Sequence, residues 1–186
     1  IGMCMNTLPA PSRRLGVPHY FAVRTIYETT TLDDAVQAVQ RAERAIPGNV
    51  ILTTPQGPAD LEITVDDVHV LRDEGTGLVV HTNHCLHPNL VPINDDFPEL
   101  IQSKPRKARI EKLFGKDDRS LSIESVKTAL RDHENYPKSI CRHSNEHPTN
   151  GFWASVFSVI IEAEIGRMHV SRGNPCKNPY ETYQLN

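Results

Sequence analysis

The sequence is short of the features that mark several common function classes. No apolar run approaches the ~18 residues that a bilayer-spanning helix requires, so a helical membrane protein is not expected. Positive charge is not in excess: 20 Lys and Arg stand against 23 Asp and Glu in 186 residues, for a net charge of −3. A broad basic face for nucleic acid is therefore not expected. No two of the four cysteines, Cys4, Cys85, Cys141 and Cys176, have the C-x-x-C spacing of a zinc or thioredoxin site. Free thiols in a reducing compartment are the default, and the cytoplasm is the expected location. Neither the phosphate-cradling G-x-x-x-x-G-K-[ST] nor the dinucleotide-binding G-x-G-x-x-G is present. Internal repeats and low-complexity tracts are absent too. The opening stretch IGMCMNTL has no initiator Met and no signal-peptide pattern. It reads as a buried strand met partway through, so an upstream segment is expected.

What remains is an ordinary globular composition, 38% hydrophobic and 23% charged, in a chain long enough for one sizeable core. Residues 1–186 are read as a single domain. After a first strand and a Pro-punctuated loop, Pro18 opens a helix at its first turn. A second helix is capped by Thr31, with Asp34 three residues on. Leu32, Ala35, Val36, Val39 and Ile46 form its apolar stripe, and Pro47-Gly48 stops it. NVILTT, ADLEITV, DVHVLRD and GLVVHTNH then read as strands of an antiparallel meander, separated by turn signals. Helices are expected from about Arg106 to Lys116 and in SIESVKTALRDH. FWASVFSVIIEAEIGRMHVSRG reads as a hairpin turning at Glu164–Gly166, and ETYQLN as a last edge strand. Runs of helices and runs of strands argue for α+β.

VHTNHCLHP is the densest chemical stretch, with His81, His84, His87 and Cys85 inside seven residues. On a strand, side chains alternate, so His81, Asn83 and Cys85 face one way and Thr82 and His84 the other. That disfavours three converging histidines around zinc and a pairing of Cys85 with a neighbouring His. Asn83 is the quieter candidate: its amide can donate to an oxyanion, although a turn-forming Asn is the simpler reading. Arg106 and Arg109, a helical turn apart, can grip an anion or merely face solvent. Arg142 and His143 sit in a loop, where binding residues concentrate. Trp153 reads as core. Cys4 lies three residues in from Ile1, has no α-amino group of its own to act as base, and is set aside.

Several stretches together resemble the acyl-CoA:isopenicillin N acyltransferase family and its relatives among the N-terminal-nucleophile cysteine hydrolases. They are GVPHYFAVRTIYETTTLDDAV, VVHTNHCLHP, the spaced Ser103, Arg106 and Arg109, HENYPKSICRH, and ASVFSVIIEAEIGRMHVSRGNPC. They occur in the family's order over nearly the whole chain. The resemblance implies an αββα sandwich of antiparallel sheets, incomplete here at its N-terminal end, in a protein matured by autoproteolysis just before a cysteine. That cysteine attacks an amide or thioester, with its own α-amino group as base. By the resemblance Ile1 falls roughly sixty residues after it, so this chain lacks the nucleophile and Cys4 does not replace it. Asn83 matches the family's oxyanion asparagine; Arg142, His143 and His81 are the expected substrate-binding residues. No cofactor is implied. The implied partners are a small-molecule acyl donor, an acyl-CoA or an amide, and the missing N-terminal segment, with no nucleic acid or membrane. One substrate-side arginine of the penicillin enzyme has no counterpart in PTNGFWAS, which argues against a β-lactam substrate. The competing expectations are a binding or scaffold domain that kept the fold without catalysis, and a zinc protein using His81, His84 and His87.

Overall fold

A computed structural model describes residues 1–115 and 121–185. Lys116 and Asn186, the last residues of the expected third helix and edge strand, lie outside the described residues. The chain forms two compact units, Ile1–Leu100 and Ile101–Asn186. Each contains helices and an antiparallel sheet, which is the α+β arrangement expected.

The first unit is built on four strands in the order β1 (Gly2–Asn6), β2 (Gly48–Thr54), β3 (Gly57–Ile63) and β4 (Val68–Arg72), all antiparallel. Helices α1 (His19–Arg24) and α2 (Leu32–Gln40), with the 3-10 turn Thr25–Glu28 between them, supply the apolar side chains that one sheet face buries. Alternation assigns the faces. Val50 and Leu52 of β2 and Ala59, Leu61 and Ile63 of β3 pack with Val23, Ile26, Leu32, Ala35 and Val39. Each fully buried Leu or Ile contributes about 1.5–3 kcal/mol, so this cluster accounts for much of the unit's stability.

Helix α2 begins as its sequence dictates. The Thr31 side chain accepts the Asp34 backbone N–H at 3.2 Å, satisfying one orphan donor of the first turn. Its end differs from the expectation. The helix stops at Gln40, seven residues before Pro47, and Ile46 is exposed outside the stripe. The cause is Arg44. Its buried guanidinium donates to the carbonyls of Val39, Gln40 and Ala42, and to Thr64 and Val65 beyond β3. The last helical carbonyls thus find their donors in a side chain of the following loop. Pro18 sits at the N-cap of α1, in extended conformation, just before the first turn.

The expected fourth strand of the meander, GLVVHTNH, is not a strand: residues 77–84 have no ladder partner and no regular structure. Alternation along that stretch therefore does not decide where its side chains point.

The second unit holds α3 (Ser103–Phe114) and α4 (Ile123–Leu130), then β5 (Phe157–Glu162), β6 (Arg167–Arg172) and β7 (Tyr180–Gln184) in sequential antiparallel order. The hairpin turns where the sequence places it, with Gly166 at φ +63° allowing the reversal into β6. Helix α3 starts at Ser103, three residues earlier than expected. Ser122 caps α4, and Ser122 and Ser125 satisfy one another's backbone N–H groups. Trp153 is not core: it is 39% exposed and packs against Phe152, itself 70% exposed.

Candidate oxyanion site and its supporting network

The second face of the β2–β3 pair is polar yet buried. Register places Asn6 opposite Asn49, Asn49 opposite Glu62, and Glu62 opposite His69 on that face. Asn49, Asp60 and Glu62 are each no more than 1% exposed. Such groups are tolerated only when paired. Asn6 donates to the Asn49 side-chain oxygen at 3.2 Å. Asn49 donates in turn to Asp60 and to the Leu61 carbonyl.

Glu62 ties the sheet to the segment that carries Asn83. One carboxylate oxygen accepts the Leu86 backbone N–H at 2.5 Å and faces His81 Nε2 at 2.8 Å. The other accepts the His87 N–H at 2.9 Å. A single buried side chain thus grips three points of an otherwise irregular stretch. His81 Nδ1 faces the Thr82 carbonyl at 2.6 Å. Both ring nitrogens are thus engaged, one by the backbone and one by the Glu62 carboxyl. The two carboxyls divide the charge. Burial would raise Glu62, but the hydrogen bonds from His81, His87 and Leu86 outweigh it and hold Glu62 below the usual range. Asp60, 3.8 Å from His81, is pushed up to about 6 by burial, with the neighbouring Glu62 adding to the rise and His81 and Asn49 opposing it.

On this frame Asn83 is 8% exposed, and its side-chain N–H donates to the Thr7 carbonyl at 3.1 Å. Two further pairs fix the chain beyond it. Cys85 N–H donates to the Asn94 side-chain oxygen, and Asn94 donates back to the Cys85 carbonyl, both at 2.9 Å. His87 stacks on His69 with ring centroids 4.1 Å apart.

The rival readings of this stretch do not survive its geometry. His81, His84 and His87 do not converge; among the described residues the metal-capable groupings are Asp60–Glu62–His81 and His133–Cys141–His143–Cys176. In the first of these the Glu62 oxygens are already committed to the segment they hold. Cys85 is 1% exposed among Leu8, Leu90 and Ile93. Burial, and then the Glu62 charge, push its thiol to about 11, the opposite of an activated nucleophile. Burial raises the Cys4 thiol as well.

In the second unit, Arg109 forms a two-pronged ion pair with Asp132, at 3.0 and 2.5 Å, so its charge serves the fold. Arg106 donates to the Ile101 carbonyl at 3.0 Å. Arg142 is 5% exposed, and its Nη1 donates to the Ile101 carbonyl at 3.2 Å and to Gln102 Oε1 at 2.8 Å. Its Nε and Nη2 are buried with no partner among the described residues, an arrangement that matches a planar anion. His143 lies beside Cys141, Cys176 and His133.

Sequence reasoning missed Asp60 and Glu62. Their signal was ADLEI: Asp60 and Glu62 are two residues apart on a strand, so they share a face opposite Ala59, Leu61 and Ile63. It is an acidic stripe on the back of a core strand.

Comparison with known proteins places the chain. It is 28% identical over 174 residues to the acyl-coenzyme A:6-aminopenicillanic-acid-acyltransferase 40 kDa form of Emericella nidulans, covering 93% of this chain and 47% of that protein. The chain thus spans about half the length of this curated relative. Residues 2–175 match the family described as acyl-coenzyme A:6-aminopenicillanic acid acyl-transferase, and the chain belongs to that family.

Proposed function

We propose that this chain forms the oxyanion-binding part of an acyltransferase or amidohydrolase that works through an acyl-cysteine. The observation that carries the reading is the fixing of Asn83. A family asparagine, nearly buried, is held by a segment that Glu62 anchors at His81, Leu86 and His87. Oxyanion stabilisation depends on donors that need no reorganisation when charge develops, and this network supplies that rigidity. His81 acts on the segment and not on substrate, since its side chain is fully buried. In the second unit, Arg142 has Nε and Nη2 without a partner among the described residues, donors suited to a carboxylate or phosphate.

The nucleophile belongs to sequence upstream of Ile1, as the family resemblance implies, in an αββα sandwich completed by that segment. The raised Cys4, Cys85 and Cys141 thiols support this reading. The thiolate attacks the carbonyl of an amide or thioester. The tetrahedral oxyanion collapses, the amine or thiol leaves with a proton, and the acyl-cysteine passes its acyl group to water or an amine.

The test is Asn83→Ala in the full-length protein. Thermal melting should stay close to wild type while turnover on thioester or amide substrates falls roughly 100-fold or more. A folded variant with near-wild-type turnover would remove Asn83 from the reaction and leave the scaffold reading in its place.

A further inference from the structure

Four side chains of the second unit converge from three separate segments. His133 follows the end of α4, Cys141 and His143 lie in the loop after it, and Cys176 sits in the turn between β6 and β7. Their ligand atoms, His Nε2 and Cys Sγ, all lie within 4.8 Å of one another. His143 Nε2 is 3.0 Å from His133 Nε2, 3.3 Å from Cys176 Sγ and 3.8 Å from Cys141 Sγ. A tetrahedral zinc with bonds of ~2.0–2.1 Å to nitrogen and ~2.3 Å to sulfur has N···N edges of about 3.3 Å and N···S edges of about 3.6 Å. The observed separations fall within about 0.3 Å of those edges. We propose that His133, Cys141, His143 and Cys176 form a structural site for a single zinc ion.

The surroundings fit that role. The segments are fixed independently of a metal. Cys141 N–H donates to the Asp132 carbonyl at 3.0 Å, and Asp132 is paired with Arg109. The Lys177 and Asn178 N–H groups both donate to the Asn174 carbonyl, shaping the turn around Cys176. Four soft or borderline donors, two thiolates and two imidazoles, make a closed set with no position for water, which marks a structural site. The charges balance as well, since two thiolates neutralise one divalent ion. The unit also needs a staple: its buried apolar side chains among the described residues are Ala129, Cys141 and Ile160. Small cores of that kind are completed by metals or disulfides. The same ion would hold the backbone of Arg142, which stands between two of the ligands.

The test uses the full-length protein, purified in the presence of zinc and then dialysed. One equivalent of zinc should be retained, the Cys141 and Cys176 thiols should resist alkylation until a strong chelator is added, and cobalt substitution should give a tetrahedral thiolate spectrum. The double variant Cys141→Ser/Cys176→Ser should lose the metal. His133 is exposed, so His133→Ala should fold and bind zinc at least about tenfold more weakly, the lower end of what even an outer-shell loss costs. A Cys141–Cys176 disulfide in the untreated protein would overturn the assignment. So would thiols that react freely with no metal bound, or zinc retained by the double variant.

Discussion

The Asp60 carboxyl is the most exposed to pH of the side chains that support Asn83, although water hardly reaches it. Its affinity for a proton is higher in the folded chain than in the unfolded one, about 6 against 3.8. Folding therefore takes up a proton at Asp60. The stability linked to it is present in full below about 3.8 and is lost as pH rises through about 6. Glu62 runs the other way: held low, it contributes stability above its ordinary value of 4.5 that is lost as pH falls. Only between about pH 3.8 and 4.5 do the two oppose each other; from there to pH 6 the loss at Asp60 acts alone. Asp60→Asn keeps an acceptor for Asn49 and removes the proton uptake at this position. Its melting temperature should exceed wild type at pH 7–8, by an amount equivalent to at most about 3 kcal/mol, and the advantage should vanish near pH 4. Thermal melts of both proteins across that range check this; an advantage independent of pH would show that Asp60 does not titrate as described.

Among the elements, the early end of α2 shows what local pattern does not contain. Thr31, Asp34 and the apolar spacing announce the helix start within a residue. Its stop depends on Arg44, whose guanidinium reaches carbonyls in α2 and beyond β3. A charged side chain four residues after a helix reads in sequence as solvated surface. Only the tertiary fold turns it inward, where five carbonyls satisfy its donors. Arg44→Lys, with three donors for five, should lower stability by about 1–3 kcal/mol. Because the acceptors are peptide carbonyls, the loss should be the same in low and high salt in paired denaturant titrations. A loss that shrinks as salt rises would instead point to a screened ion pair. GLVVHTNH fails as a strand for a related reason. Its β-branched run carries the right propensity, but Glu62 takes the Leu86 and His87 N–H groups and His81 pairs with it. A side chain on β3 organises the segment in place of a ladder partner.

Across the whole chain, the antiparallel meander of β2, β3 and β4, the β5–β6 hairpin and the order of helices and strands were legible, because each rests on short-range periodicity and turn residues. Asn83 is singled out by resemblance alone; its residue type leaves a turn Asn as the simpler account. The supporting acids and the His133–Cys141–His143–Cys176 cluster were not found. Spacing rules search one segment at a time, whereas these groups are assembled by topology. Cys141 and Cys176 are 35 positions apart, yet each lies within 3.8 Å of the same imidazole nitrogen.

The grip of Glu62 on the Asn83 segment has a practical consequence for rebuilding the chain. Between β4 and that segment the backbone passes through a surface turn, in which Asp73 accepts the N–H groups of Thr76 and Gly77 and Glu74–Gly77 are exposed. The Asn83 segment takes its position from β3, so the length of this connector is not what sets it. A peptide tag or fluorophore-bearing loop spliced in after Gly75 should leave turnover of the full-length protein within about twofold, since exposed loop tips are where insertions are tolerated. The same splice beside His87 should abolish it. Activity assays on the two insertion variants would locate the hinge about which this protein can be redesigned.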